Sequence, residues 1–333
     1  MIKIIISFLC ALISFLVIWI FTPWLIKYLK RINLVDFDQN KENKPLFPTS
    51  GGIIVMGGMF IGLLMYVFFK VFFFDLEIGK DYLTYVFAAI TSILIITFVG
   101  FIDDLLIKRN HDSGSGLKQW QKPLLVLPAA IPLMVINAGT SIMSIPLFGD
   151  VNFGLIYPLV LIPMGVFGAA NMVNLLAGFN GMEAGMGIVY TGMLGLYAYM
   201  NGRLISALIA LMAFSALLAF YYYNKYPTKI FPGDSLTYLL GATLACIAIL
   251  GNMEKACLIV AIPFFIEFVL KARGKFQKQS YGYYKDGKIH NLYGKEIYSI
   301  PHLLTRTGKY TEKQVTYFCI FMEFIFASLI WLI

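Results

Sequence analysis

Four groups of polar residues interrupt an otherwise apolar chain, each with a spacing that suits chemistry. The first is Asp103-Asp104, in the run FVGFIDDLL. Adjacent carboxylates repel, and at the C-terminal end of a helix the macrodipole disfavours them further. A nearby cation or metal ion would relieve both penalties, which sets the pair apart from a helix end merely reaching water. The second is NMVNLLAGFNGMEAG, from Asn171 to Gly185. Asn171 and Asn174 share one helix face, and the glycines from Gly178 onward break that helix and let backbone approach a ligand. Asn180 and Glu183 make the group richer than a polar packing patch, the plainer use of Asn between membrane helices. The third is YPTKIFPGDS, where Asp234 opens a helix; an Asp there is by itself as readily an N-cap as a ligand. The fourth, Pro48-Thr49-Ser50-Gly51-Gly52, follows a polar run from Asp36 to Lys44 and alone reads as a turn. Carboxylates with amide oxygens are hard ligands that suit Mg²⁺, which leaves its remaining positions to substrate phosphates. Lys groups and glycine N–H groups suit phosphate oxygens. The chemistry implied is phosphoryl transfer.

These groups must be positioned by membrane elements. The 333 residues are 59% hydrophobic and 13% charged, whereas soluble domains carry roughly 25% charge. That excludes an ordinary water-facing surface and predicts an all-α polytopic membrane protein, read as one domain over residues 1–333. A hydrocarbon core of ~30 Å needs ~20 apolar residues per helix. Ten stretches qualify: 4–28, 52–74, 82–102, 122–138, 155–177, 182–200, 204–223, 235–250, 254–270 and 314–332. The fourth carries Pro123, Pro128 and Pro132, and the eighth is short and rich in Gly and Ala. The first is longer than a signal h-region of ~7–15 residues and no small-residue cleavage site follows, so it is expected to be retained. Cys10, Cys246, Cys257 and Cys319 lack metal-ligand spacing and read as core or lipid-facing residues.

The net charge of +8 would suit nucleic acid in a soluble protein, but here Lys and Arg record orientation, and no nucleic acid partner is expected. Of the 26 Lys and Arg, 21 fall in alternate loops, between Lys27 and Lys44, Lys108 and Lys122, Lys225 and Lys229, and Lys271 and Lys313. Positive charge marks cytoplasmic loops. Both termini should therefore lie outside a cell membrane, and all four polar groups converge on its cytoplasmic face. The cytoplasmic loop 271–313 contains Tyr281-Gly-Tyr-Tyr and the turn pair Asp286-Gly287, which argue for a short hairpin folded over the mouth of the site. The bland alternative is that its basic residues only hold anionic headgroups.

PTSGG, GFIDDLL, NMVNLLAGFNGMEAG and FPGDS, in this order, resemble the polyprenyl-phosphate N-acetylhexosamine-1-phosphate transferases, the glycosyltransferase family 4 enzymes. The resemblance spans about residues 35–270. NLLAGFNGMEAG, Lys122 ahead of its Pro-rich span, and YPTKIFPGDS bring it nearest to the dolichyl-phosphate N-acetylglucosamine-phosphotransferases of eukaryotes and archaea. The bacterial phospho-MurNAc-pentapeptide translocases share PTxGG, the Asp pair and the later Asp, and are the alternative, with wall-polymer transferases beside them. The resemblance implies a ten-helix bundle, often dimeric, that joins a UDP-activated N-acetylhexosamine to a polyprenyl or dolichyl phosphate among membrane lipids. The product would start a lipid-linked glycan for protein N-glycosylation. It further implies Mg²⁺ (Mn²⁺ as a substitute) at Asn174 and Asp234, with Asp103 and Asp104 in the catalytic centre. Lys122 would meet the phosphate of the lipid or the pyrophosphate. Asn180 would bond uracil and Phe231 stack on it, with Phe37, Asp38, Gln39, Thr49 and Gly178 bordering the nucleotide sugar. Residues Phe167, Gly168, Ala169, Ala170, Asn171, Met172, Val173, Asn174 and Leu175 would line the lipid-phosphate groove.

The last cytoplasmic loop departs from that pattern. Bacterial members carry a His cluster there and the eukaryotic enzyme Arg-His-Arg. Here the stretch is Phe276-Gln277-Lys278-Gln279-Ser280, so Lys278 is expected to supply the positive charge near the pyrophosphate. His290 and His302 stand further on, in another context. A secondary transporter is the rival of another class, but its site would lie near the bilayer midplane, often between paired repeats, and these motifs sit at one face.

Overall fold

The computed structural model describes residues 2–73, 80–109, 121–145 and 149–333. Helix α1 (Ile2–Arg31) leads through an antiparallel ribbon, β1 (Val35–Phe37) with β2 (Leu46–Pro48), into α2 (Gly52–Phe72) and then α3 (Lys80–Arg109). The proline-rich stretch is broken into α4 (Gln121–Val126), a 3₁₀ turn Leu127–Ala130 and α5 (Ile131–Val135). Pro128 and Pro132 stand at the starts of the last two pieces, because proline lacks an N–H and its ring clashes with the carbonyl four residues back. Lys118 lies outside the described residues. A hairpin of β3 (Ile142–Ile145) and β4 (Gly149–Asn152) and a π-helical turn Tyr157–Leu161 precede α6 (Ile162–Leu175). Then come α7 (Met182–Met200), α8 (Leu204–Asn224) and α9 (Gly233–Gly251). α10 (Glu254–Val260) and α11 (Ile262–Arg273) are one stretch interrupted at Ala261, just ahead of Pro263. The chain ends through a hairpin of β5 (Gly282–Lys285) and β6 (Lys288–Asn291), the short α12 (His302–Thr305), α13 (Glu312–Ser328) and a 3₁₀ turn Leu329–Leu332.

Helical segments lie over every stretch that hydropathy marks, and the protein is an all-α polytopic membrane protein. Among the described residues, seven helices are long and apolar enough to cross a bilayer. The remaining expected spans differ for visible reasons: 122–138 and 254–270 are interrupted near prolines, and α7 is diluted by glycine, tyrosine and Glu183. Burial orders the helices. α9 has 83% of its apolar window inside the protein, whereas α1 has 28% and presents Phe8, Trp19 and Trp24 outward. Tyr238, Leu239, Leu240 and Ile247 of α9 are fully buried. α9 is therefore the hub, with α3 against its start and α6 against its middle. All four cysteines are buried and unbridged. In the 271–313 loop, Asp286 and Gly287 both take positive φ, 49° and 78°, the geometry a two-residue hairpin turn needs.

Candidate active site

The expected helix end at Asp103-Asp104 is corrected by the structure. α3 runs on to Arg109, and both residues are buried within it, Asp103 completely. What accommodates Asp104 is a set of donors from other elements. Its Oδ1 accepts the backbone N–H of Asp234 at 2.7 Å. Its Oδ2 accepts the Ser50 hydroxyl at 2.7 Å and the Ser235 N–H at 3.3 Å. The two N–H groups belong to the first turn of α9, the positive end of that helix. Asp234 is not the N-cap; Pro232 holds that place without a side-chain cap, and Asp234 stands inside the first turn.

The PTSGG and FPGD segments lie side by side. Phe231 N–H donates to the Pro48 carbonyl at 2.8 Å, and Gly51 and Gly52 donate back to the Phe231 and Pro232 carbonyls, each at 3.0 Å. Two glycines make this possible. A Cβ on Gly52 would overlap the backbone of Ser235 and Leu236, and one on Gly233 would overlap the Asp104 carboxylate. Gly233 also takes φ 69°, and Ser50 takes φ 73°, an uncommon conformation for a residue with a side chain that here delivers its hydroxyl to Asp104. The two turns, unremarkable singly, form one ledge.

Asn174 comes to the same ledge. The Thr237 hydroxyl donates to Asn174 Oδ1 at 2.8 Å and to the Asp234 carbonyl at 3.1 Å. Asp234 and Asn174 are half-buried. The Asp104 and Asp234 carboxylates are near enough to repel, a penalty that a divalent cation would relieve. Among the described residues no three His, Cys, Asp or Glu side chains cluster as a self-sufficient metal site. A hard cation resting on one carboxylate and one amide oxygen, completed by substrate phosphates, fits what is there. Lys122 is placed by its backbone in the first turn of α4; its side chain lies outside the described part.

The other edge of the site is built on Asp38 and Asn180. Asn180 Nδ2 donates to Asp38 Oδ2 at 2.9 Å, and the Asn180 N–H to Glu312 Oε1 at 3.2 Å. Lys41 pairs with Glu312, lies 3.7 Å from Asp38 and sits 4.3 Å from the centre of the Tyr226 ring. Gly178 is held by its N–H, which donates to Glu183 Oε1 at 2.8 Å. Phe231 packs edge-on to Phe47, centroids 5.6 Å apart, and keeps part of its face open. Phe37 is exposed, and Gln39 and Thr49 are half-buried.

An apolar groove of about 380 Å³ runs along α6, lined among others by Gly168, Ala169, Met172 and Val173, and on the far walls by Ala248 and Phe264. Phe167 and Leu175 are half-buried, and Ala170 is buried on α9. Asn171 turns its amide back to the Phe167 carbonyl at 2.8 Å, so it serves its own helix.

The 271–313 loop reaches this assembly. Tyr281 packs on Gly178, and the Ser280 hydroxyl donates to the Leu175 carbonyl at 3.4 Å. The Lys278 ammonium lies over the Tyr293 and Tyr298 rings, at 4.7 and 5.6 Å. His290 stacks on Tyr283. His302 is fully buried and accepts the Tyr298 N–H at 3.1 Å. Burial, with the Lys271 ammonium nearby, pushes its imidazole down to about 4, so at neutral pH it is an uncharged part of the loop's core. Sequence reasoning passed over the anchor of this loop. Fully buried Glu267 accepts the Ser299 hydroxyl at 2.6 Å and the Ile300 N–H at 2.7 Å, and pairs with Lys271 at 3.7 Å. A Glu within an apolar span was the available signal. Asn40, Lys41 and Glu312 were also missed and carry no local signal beyond polarity.

Comparison with known proteins bears on this geometry. The model of glycosyl transferase family 4 matches residues 86–252, from α3 through α9. A Saccharolobus solfataricus protein, provisionally named a UDP-N-acetylglucosamine–dolichyl-phosphate N-acetylglucosaminephosphotransferase, is 37% identical over 322 residues, 95% of this chain and 93% of its own. The Dictyostelium discoideum protein of that name is 26% identical over 337 residues, 87% of this chain and 78% of its own. A phospho-N-acetylmuramoyl-pentapeptide-transferase from Shouchella clausii is 32% identical over 270 residues, covering 77% and 78%.

Proposed function

This chain belongs to glycosyl transferase family 4, and from that premise we propose that it transfers N-acetylglucosamine-1-phosphate from UDP-N-acetylglucosamine to a polyprenyl (dolichyl) phosphate. The observation that carries this reading is a pair of unlike surfaces on and beside the segments that carry Asn174 and Asp234. One is the apolar groove along α6, suited to an isoprenoid chain. The other is polar, the bonded pair of Asp38 and Asn180 together with half-buried Phe231 on the neighbouring ledge, suited to a uracil base. The names carried by the archaeal and Dictyostelium relatives support the same substrates.

In this reading an oxygen of the lipid phosphate attacks the β-phosphorus of the nucleotide sugar. The bond from that phosphorus to the bridging oxygen breaks, and UMP leaves with the electron pair. A Mg²⁺ held by Asn174 and Asp234, or Mn²⁺ in its place, would screen two anions as they approach. Asp104 fixes the start of α9, and with it Asp234, through its three hydrogen bonds. A phosphate with pKa₂ near ~6 is mostly deprotonated at neutral pH, so a general base has little to remove. Lys122 stands at the head of α4 as the cation for the lipid phosphate. The basic loops at the motif-bearing end support a site that faces the cytoplasm from a cell membrane.

Purified protein given UDP-N-acetylglucosamine and dolichyl phosphate should release UMP and form a lipid-diphospho-sugar. A reaction only with UDP-MurNAc-pentapeptide would move the assignment to the translocase branch, and no UMP from any donor would remove the enzyme reading. Phe231→Ala should chiefly raise KM for the nucleotide sugar, since stacking acts in ground and transition states alike. Base stacking of ~1–3 kcal/mol sets that rise at roughly 5- to 150-fold; an unchanged KM with a collapsed kcat would contradict it. Lys278→Ala should lower kcat/KM by about tenfold, near the ~1.4 kcal/mol of one charged hydrogen bond. Activity within about twofold of wild type would leave Lys278 as a brace on Tyr293.

A further inference from the structure

We infer that Asn40 is a positioning residue that ties the nucleotide edge of the site to the β5–β6 hairpin, an inference that rests on the function proposed above. Asn40 is 3% exposed, and both ends of its carboxamide are used on backbone groups of separate loops. Nδ2 donates to the Gly178 carbonyl at 2.7 Å, and Oδ1 accepts the Gly282 N–H, at the first residue of β5, at 3.1 Å. A single planar group therefore joins the turn before α7 to a hairpin that lies 104 residues further along the sequence, Gly178 to Gly282.

The other contacts of Asn40 give this bridge a direction. Its N–H donates to Asp38 Oδ1 at 3.1 Å, while Asp38 Oδ2 accepts Asn180 Nδ2 at 2.9 Å. Asn180 returns through two residues of chain to Gly178, whose carbonyl meets Asn40 again. Asp38, Asn40, Gly178 and Asn180 thus close a ring of hydrogen bonds and one short stretch of chain, and of the bonds that leave it the one from Asn40 runs to the hairpin, at Gly282. The two polar residues assigned to the nucleotide sit in that ring, and the first strand of the hairpin is joined to it through Asn40, while the second strand is held separately by the Ile289 N–H, which donates to the Tyr310 carbonyl at 2.9 Å. Tyr281, packed on Gly178, and Ser280, bonded to the Leu175 carbonyl, bring the approach to β5 against the end of α6. Further back the loop is fixed independently by Glu267 and Lys271. A nucleotide that settles Asp38 and Asn180 settles Asn40, and through it the position of the hairpin over the sugar and pyrophosphate.

Hydrogen exchange read on peptides covering 280–291, with and without UDP, tests this alongside steady-state kinetics. In the wild type, UDP should slow exchange in that segment. Asn40→Ala cuts both arms: exchange should quicken without nucleotide, and KM for UDP-N-acetylglucosamine should rise about five- to tenfold with kcat within about twofold. Asn40→Asp keeps an acceptor for Gly282 but sets a second oxygen against the Gly178 carbonyl. It should retain hairpin protection in nucleotide-free protein while losing the UDP response and raising KM. A merely structural brace would not divide the two substitutions in this way. Hairpin exchange in the wild type that UDP leaves unchanged, or an Asn40→Ala enzyme with wild-type KM, overturns the inference. Should Asn40→Ala unfold the chain, seen as protection lost across α9, the Asn40→Asp measurements decide. If the wild type turns over no nucleotide sugar, the proposed function fails, whereas exchange in nucleotide-free Asn40→Ala still reports on the tie itself.

Discussion

An Asp234→Asn enzyme should lose turnover by roughly 10²–10³-fold or more, the weight of one well-placed electrostatic stabiliser, while its fold becomes slightly more stable. The shape is kept: the Asp234 N–H that Asp104 accepts is backbone, and the amide occupies nearly the same volume. The charge is lost, and with it the repulsion between the Asp104 and Asp234 carboxylates. Sites that gather like charges trade stability for function, so a small rise in thermal midpoint should accompany the lost activity. Residual activity should need far more Mg²⁺ than the wild type. Wild-type turnover at equal Mg²⁺ would remove Asp234 from the reaction. A fall in midpoint would mean that its carboxylate is a structural partner rather than a charge held in reserve.

Gly52→Ala should be the more damaging change to the fold. The new methyl group would overlap the backbone of Ser235 and Leu236, which cannot swing aside as a side chain could. Overpacking of this kind costs typically ~1–3 kcal/mol. Here the displaced segment is the first turn of α9, whose Asp234 and Ser235 N–H groups hold Asp104. Turnover should therefore fall at least tenfold, together with the thermal midpoint. The same helix supplies its own control. A Cβ on Gly57 would meet nothing within 4 Å, and Ala exceeds Gly in helix propensity by ~1 kcal/mol. Gly57→Ala should thus be neutral or stabilising and fully active. Equal behaviour of the two variants would mean that the α2–α9 contact does not set the ledge.

The sequence by itself determined the class of this protein, because membrane residence is a property of averages. Twenty-residue hydropathy, the scarcity of charge and the one-sided distribution of Lys and Arg need no knowledge of what touches what. Local turn chemistry was equally legible: Asp286-Gly287 promised a hairpin turn, and both residues adopt positive φ. So was the breakage at Pro128 and Pro132. The motif residues suggested their chemistry by type, and the Thr237 hydroxyl joins Asn174 Oδ1 to the Asp234 backbone carbonyl.

What the tertiary structure decided is how those residues are held. From the sequence alone Asp104 is a carboxylate that a cation would relieve; in the fold its oxygens accept from the Ser50 hydroxyl, 54 residues before it, and from the N–H of Asp234, 130 residues after. Asn40 joins partners 138 and 242 residues away, and Lys41 and Glu312 pair across 271. Such contacts leave no trace in periodicity, which records only neighbours three or four apart on a helix or two apart on a strand. Each depends on hydrogen-bond geometry that fails within about an ångström. That precision comes from how closely α2 and α3 approach α9, and the approach is set by where Gly52 and Gly233 omit a side chain. A glycine in sequence says that something can come near; only the packed helices say that it is the start of α9.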